Sequence, residues 1–355
     1  MKKDILTTLQ DKPAGITPKK ELEGGIQPTQ EQYKQLYLPI LHNAPTNELA
    51  ALSNAPIIQR DDITKESVVE AGALRLFIDK YTEVLAPRGS VFKLFDMLCI
   101  ELAKVNDYRS PNGAKNRTVT MTLARYMELC GLDPTKKPLK DKTRRRVHED
   151  LHTLYNFSLE WKDPRGGKYA DFKKQRICGR AHLEKGVITF TFEEEFANAL
   201  NASFIGQYPV AIFRLDDRNK NAYPLARKIA MHASNDNNIQ KGTAHILSVE
   251  TLLAVCPDIP SYKEVVEKDR AFSRRIRDTL EKALDALEEF TAWEYCNSKG
   301  APLTEEQLQA KDWNTYRKLL VKFTFREEPD HTARLARKAE RISKRKPRAK
   351  NQPAK

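Results

Sequence analysis

The chain has little on which membrane, extracellular or nucleotide chemistry could rest. No apolar run approaches the ~20 residues that a membrane span needs. The opening MKKDILTTLQDK is basic but lacks the apolar stretch of a secretory leader, so a cytoplasmic location with no membrane partner is expected. The cysteines, Cys99, Cys130, Cys178, Cys256 and Cys296, are odd in number, widely separated and never spaced Cys-x-x-Cys. That usage fits free thiols packed as small apolar side chains in a reducing compartment, and it offers neither a disulfide framework nor a zinc ribbon. The Gly-x-x-x-x-Gly-Lys-Ser/Thr phosphate loop is absent, so no ATPase is expected. His-x-His, which a rolling-circle nickase needs beside a nucleophilic tyrosine, is absent too, and Tyr155 and Tyr223 read more simply as core or helix-edge residues.

Charge is what the chain has in quantity. Of 355 residues 31% are charged and 40% hydrophobic, as in a globular protein with room for two domains, and the formal net charge of +13 points to a polyanionic partner. Its distribution is uneven. Residues 333–355 hold ten Lys or Arg against one Glu, a basic tail that would meet phosphates through charge without reading bases. A second island, 136–180, has fourteen basic and six acidic residues, an excess of 14 − 6 = 8.

Six prolines (Pro13, Pro18, Pro28, Pro39, Pro45, Pro56) and weak apolar periodicity make residues 1–62 read as a disordered arm. The stretch TKESVVEAGALRLFIDKYTEVL, from Thr64, is expected to be helical and to stop before Pro87. A further helix opens at Ser90, as N-cap, and runs VFKLFDMLCIELAKV, with Phe92, Phe95, Leu98, Cys99 and Leu102 on one stripe. C-terminal to it, one pattern occurs twice. TMTLARYMELC (120–130) aligns without a gap on ILSVETLLAVC (246–256): a short strand, Thr122 or Ser248 as N-cap, a helix, then Cys130 or Cys256. After each come a proline-containing loop, a long charged helix (139–155; 262–290), a strand with tryptophan (FSLEW; TAWEY), a polar stretch and an alternating strand (GVITFTF; KLLVKFTF). Helix, strand, helix, helix, strand, turn, strand is the order of a winged helix. The expected fold is therefore α+β, mainly α, with two tandem winged-helix domains: arm 1–62, first domain with its preceding helix 63–210, second domain 211–328, basic tail 329–355.

The third helix of each copy is the candidate for the major groove. In the first, Val147, Leu151 and Leu154 form the buried stripe and Arg145, His148, Glu149 and His152 face outward. In the second, Phe272, Ile276, Ala283, Leu287 and Phe290 are expected inside while Arg270, Arg274 and Arg277 make an outward row suited to guanine edges. The competing reading pairs these arginines with Glu267 and Glu281 on a solvated helix. Between FSLEW and GVITFTF the segment KDPRGGKYADFKKQR reads as a basic wing, in which Lys162, Arg165, Lys168, Lys173, Lys174 and Arg176 would lie over phosphates. HEDLH (148–152) matches the His-Glu-x-x-His of zinc peptidases. Three preceding arginines, the charge of Asp150 inside the motif and third-ligand candidates (Glu160, Glu184, Glu193, Glu194, Glu195) on or beside wing strands argue against a metal there.

The segment FRLDDRNKNAYPLARKIAMHASNDNN, with ILSVETLLAVCPDIPSY and the long charged helix after it, resembles plasmid and mobile-element replication initiators with two tandem winged helices, the type that binds origin repeats. The resemblance spans roughly residues 88–326 and is weaker in the first copy. It implies sequence-specific binding of double-stranded DNA at an origin, melting of adjacent DNA and recruitment of the host replicative helicase or initiator, with a homodimer formed through the first winged helix. On that pattern Arg270, Arg274 and Arg277 read bases, while Arg144, Arg145 and Arg146 with the first wing hold backbone. Neither enzyme activity nor any metal or nucleotide cofactor is implied. A winged-helix transcriptional regulator is the alternative; the two copies, the long arm and the lack of an effector domain favour the initiator.

Overall fold

Two patterns compete in this chain, the 3.6-residue period of amphipathic helices and the two-residue alternation of strands, and the backbone resolves them into a mixed α/β structure. The computed structural model describes residues 37–42, 46, 49–52, 57, 59–61, 63, 66–71, 74–79, 88–106, 116–161, 172–201, 204–268, 271–308 and 312–326. In chain order the elements are β1 (Tyr37–His42), β2 (Gln59–Asp61), β3 (Glu66–Ala71), β4 (Leu74–Ile78), α1 (Gly89–Val105), β5 (Thr118–Thr122), α2 (Leu123–Leu129), α3 (Lys137–Tyr155), β6 (Phe157–Trp161), β7 (Phe172–Arg176), β8 (Cys178–Glu184) and β9 (Val187–Phe192). Next come α4 (Glu194–Asn201), β10 (Phe204–Pro209), α5 (Ala222–Ala233), α6 (Asp236–Gln240), β11 (Ile246–Ser248), α7 (Val249–Leu253), α8 (Tyr262–Glu267), α9 (Asp278–Asp285), β12 (Thr291–Cys296), α10 (Glu305–Leu308), α11 (Trp313–Tyr316) and β13 (Leu320–Phe325).

The internal repeat is present in the backbone. Thr122 and Ser248 each cap the helix after them, Oγ accepting from Arg125 N at 3.1 Å and from Thr251 N at 3.2 Å. In the first unit the strand before the cap joins a sheet of order β5-β9-β8; in the second the order is β11-β13-β12, and every pairing is antiparallel. Each unit thus places its first strand beside its last. Four thiols are buried and Cys130 is half-buried; loss of solvent pushes Cys130 up to about 11 and Cys178 up to about 12, as expected of packed thiols.

FSLEW does not pair with GVITFTF. As β6 it lies between β4 and β7 in a separate sheet of order β2-β3-β4-β6-β7. The true partner of β9 is β8, joined to it by a tight hairpin in which Lys185 (φ 49°) and Gly186 (φ 79°) both take the left-handed conformation that two-residue hairpins favour. The 66–78 segment is a hairpin instead of a helix: Val69, Leu74, Leu76 and Ile78 are buried on one face, a two-residue alternation that outweighs the looser helical match. Nor is the arm disordered as far as residue 62. Tyr37–His42 pairs with β10, and Ile40, Leu41, Leu49 and Leu52 are buried, so these apolar residues repay the cost of ordering; residues 1–36 and 327–355, the latter including the basic tail, lie outside the described residues.

The core is continuous across both units. Its axis is α1, in which Val91, Phe92, Leu94, Phe95, Met97, Leu98, Ile100, Leu102 and Ala103 are buried around the whole circumference, as befits a helix surrounded by others. Arg88, not Ser90, stands at its N-cap; Ser90 lies inside the helix. One carboxylate interrupts the apolar surface of α1. Asp96 Oδ2 accepts from Arg227 Nε at 2.7 Å, Tyr208 Oη at 3.0 Å and Tyr223 Oη at 2.5 Å, and Oδ1 accepts from Arg227 Nη2 at 3.0 Å. The ion pair is sealed, with side-chain exposures of 2% for Arg227 and 1% for Asp96. Removing one partner from such a pair strands the other charge, at about 3–5 kcal/mol. Asp96→Ala is expected to lose stability in that range by urea denaturation; a loss under about 1 kcal/mol would mean that water reaches Arg227.

Candidate nucleic-acid interface

The helix that carries HEDLH is α3, and its two faces differ in chemistry. Val147, Leu151 and Leu154 are buried against the core, as the wheel requires. Lys137, Arg144, Arg145, His148 and His152 are exposed, and among the described residues none of them is in an ion pair. Two acids share the outer side. Asp141 is exposed, while Glu149 is held by Arg88 Nη2 at 2.9 Å. The result is a cationic helical face with most of its charge unneutralised, lying beside β8 of the first-unit hairpin.

Arg146 behaves differently from its two neighbours. It turns to the flank of α3 and pairs with Asp217, so it is not available to hold a DNA backbone in this conformation. Asp150, inside the motif, is fully buried. Ser90 Oγ donates to its Oδ1 at 3.2 Å and Arg88 Nη2 lies at 3.3 Å. Burial dominates over these partners and pushes the Asp150 carboxyl up to about 6. Among the described residues no group of three His, Cys, Asp or Glu is arranged to hold a metal ion, so His148 and His152 find no third ligand; Glu160 of β6 pairs with Arg75 and Glu184 ends β8.

The described end of the basic segment assigned to the first wing, β7, belongs to the other sheet. Lys162, Arg165 and Lys168 lie outside the described residues, as does the side chain of Lys173. Lys174 pairs with Glu66 and sits 4.5 Å from the Phe77 ring centre; Arg176 pairs with Asp79 at 3.4 Å and lies 5.4 Å from the Tyr155 ring centre. With Arg75 bridging Glu70 and Glu160, this sheet face alternates acid and base and is largely self-neutralised. The hairpin that does flank α3 carries Arg180 and Lys185, both exposed and without an ion pair among the described residues. Sequence reasoning misses both, although Glu184-Lys185-Gly186-Val187 between alternating strands is a hairpin signal.

In the second unit the long helix expected over 262–290 is interrupted. Ser261 opens α8 with a reciprocal capping box to Glu264, and after Lys268 the helix gives way to a π-helical turn at Ser273–Arg277 that leads into α9. Ile276, Ala283, Leu287 and Phe290 are buried as expected and Phe272 is half-buried, packed against Tyr262 and Trp313. The outward arginine row is broken. Arg270 lies outside the described residues; Arg274 is exposed and free of ion pairs among the described residues, as is Arg275. Arg277, with a side chain only 24% exposed, is taken up by Glu281 at 3.0 Å and by the Leu308 carbonyl at 3.4 Å. The Glu281 half of the solvated-helix alternative therefore holds for Arg277.

No family model matches the chain, and no curated protein matches it. Among solved structures it is similar to that of selenomethionine derivatives of domains 2 and 3 of RctB, at a TM-score of 0.41 and 10% identity over 79% of this chain and 98% of that one. A likeness that slight carries no functional inference.

The Asp150 carboxyl supplies a test of how α3 is held. Its folded-state value of about 6 exceeds the usual ~3.9, so the folded chain binds the proton more tightly, and the group favours folding at low pH and penalises it as pH rises through about 6. Asp150→Asn removes the titration. Relative to that variant, the wild type is expected to gain stability when pH falls from 7 to 5; parallel pH profiles would show that Arg88 and Ser90 fully compensate the buried charge.

Proposed function

We propose that the chain is a sequence-specific double-stranded DNA-binding protein built on two tandem winged helices, and that it acts as a replication initiator at repeats of a plasmid or related origin. The observation that carries DNA binding is the cationic face of α3, where Arg144, Arg145, His148 and His152 are exposed and, among the described residues, outside any ion pair, whereas Lys174, Arg176 and Arg277 are each paired with a carboxylate. Two repeats with a shared strand order support the winged-helix reading. In such a unit α3 enters the major groove and the β8–β9 hairpin, with Arg180 and Lys185, lies along the flanking backbone. Arginines can bond guanine O6 and N7 bidentately, worth about 1–3 kcal/mol of discrimination each.

The family resemblance gives base reading chiefly to the second unit. The side chains here favour a different division: α3 reads bases, while Arg274 and Arg275 of the second unit meet the duplex and Arg277 stays with Glu281. The initiator role, the homodimer through the first unit, the helicase partner and the absence of catalysis or cofactor rest on the resemblance. A transcriptional regulator would share the fold and the interface.

Both parts are open to measurement. On a duplex selected from a random pool by the full chain, Arg144→Ala or Arg145→Ala is expected to weaken the selected sequence by about 1–3 kcal/mol more than random DNA at one fixed salt concentration. Arg277→Ala and Lys174→Ala are expected to leave that preference unchanged. Equal losses on both duplexes for the α3 variants would assign α3 to backbone contact alone. For the initiator role, the gene with its flanking DNA is expected to sustain a plasmid that lacks its own origin; if it instead only represses an adjacent promoter, the regulator reading takes over.

A further inference from the structure

The outer side of α9 carries charge that its surroundings leave unanswered. Leu280, Ala283, Leu284 and Leu287 are buried, so the opposite side of the helix and of the turn after it faces outward, with Asp278, Asp285, Glu288 and Glu289 all exposed. Among the described residues none of these four is in an ion pair; Asp285 Oδ1 accepts from Trp293 Nε1 at 3.0 Å. The neighbouring acids Glu281 and Glu294 are answered, by Arg277 and Lys322, and Lys282 is exposed on the same side. The place of the acids is as unfavourable as their number. A helix presents the negative end of its dipole at its C-terminus, where cations stabilise and carboxylates destabilise. Asp285 ends α9, and Glu288 and Glu289 follow within one turn. A face so built gains from cations that the described residues do not supply.

The chain leaves the fold at this same place. β13 ends at Phe325, paired with Thr291, and Arg326 N donates to the Phe290 carbonyl at 3.2 Å, one residue on from Glu289. Residues 327–332 then lead to the basic tail, 333–355, with its ten Lys or Arg against one Glu. That connection can span at most roughly 20 Å, and α9, with 8 residues, is about 12 Å long. The tail therefore starts within reach of the whole acidic side. A segment tethered this close meets its docking face at an effective concentration on the order of millimolar, so contacts too weak to hold separate molecules suffice.

We propose that the basic tail, residues 333–355, docks on the acidic outer side of α9 and the turn after it, and that a competing polyanion displaces it. The second unit thereby screens the tail, whose charge meets phosphate only once a polyanion has taken the place of α9. The docking does not depend on the DNA-binding reading above, since any polyanion serves to test it.

The test uses the full chain. A carbodiimide condenses a lysine amine with a carboxylate that touches it. At about 50 mM salt it is expected to join Lys338, Lys344, Lys346 or Lys350 to Asp285, Glu288 or Glu289, and the yield is expected to collapse at about 1 M salt or on addition of heparin. In a mixture of isotopically light and heavy chains the links are expected within one chain. Glu288→Gln/Glu289→Gln, a change at two exposed side chains, is expected to speed tryptic cleavage within the tail roughly fivefold at low salt. Glu288→Asp/Glu289→Asp, which keeps the charge, is expected to leave the wild-type rate. Links confined to Glu327, Glu328 and Asp330 would overturn the proposal, the tail then being answered by its own connection. Links between light and heavy chains would overturn it in favour of a second copy, and equal cleavage rates in all three proteins would show that the face of α9 does not hold the tail.

Discussion

The packing of α5 and β10 against α1 depends on a buried carboxylate, Asp96. Asp96 sits midway along a helix whose buried surface is mainly apolar, and an isolated charge there would cost far more than the chain's net stability. It is tolerable only if a guanidinium and two phenols close over it. Arg227 and Tyr223 come from α5, and Tyr208 comes from β10. The requirement therefore brings the first helix of the second unit against the first helix of the first. It also fixes β10, whose antiparallel partner is β1, so the N-terminal strand is drawn into the same assembly. A buried pair of this kind adds little net stability over an apolar replacement, but losing either partner strands the other charge.

From α1 outward, ion pairing divides the surface. On the five-stranded sheet, Arg75, Lys174 and Arg176 are each answered by a carboxylate, and in the second unit Arg277 is answered by Glu281. Along α3 the inner and flanking charges are answered as well, Asp150 and Glu149 by Arg88 and Arg146 by Asp217. Among the described residues, Lys137, Arg144, Arg145 and the two histidines are what this pairing leaves over on α3, as it leaves Arg180, Lys185, Arg274 and Arg275 elsewhere. A polyanion approaching α3 meets uncompensated charge on a rigid helix whose register is held from behind by Val147, Leu151 and Leu154.

Local signals are legible in the sequence wherever a few adjacent residues suffice. Thr122 and Ser248 announce their helices because a cap needs only a hydroxyl and the amide three residues on, and the stripe of α3 comes from its period alone. Pairings between distant segments are not legible. Trp161 and Trp293 align as equivalent strand residues, yet an extra hairpin, β6–β7, stands between α3 and the strand that pairs with β9, and nothing local distinguishes FSLEW from TAWEY. The hairpin of β3 and β4 reads as a helix because Val68, Val69, Leu74, Leu76 and Ile78 satisfy both periods over so short a span. Asp96, Arg227 and Asp217 are invisible as structural residues: in a chain with so many charges, a buried acid reads like any other until its partner, 131 positions away in the case of Arg227, is brought to it.

The most direct test of the account is the reactivity of individual arginines toward phenylglyoxal, read by mass spectrometry with and without the selected duplex. Arg144 and Arg145 are expected to react freely in the unbound chain and to be protected in the complex. Arg277, engaged with Glu281 and the Leu308 carbonyl, is expected to react slowly in both. If Arg144 and Arg145 react as fast in the complex as without DNA, α3 does not face the duplex, and the claim that unpaired charge on that helix makes the interface is wrong.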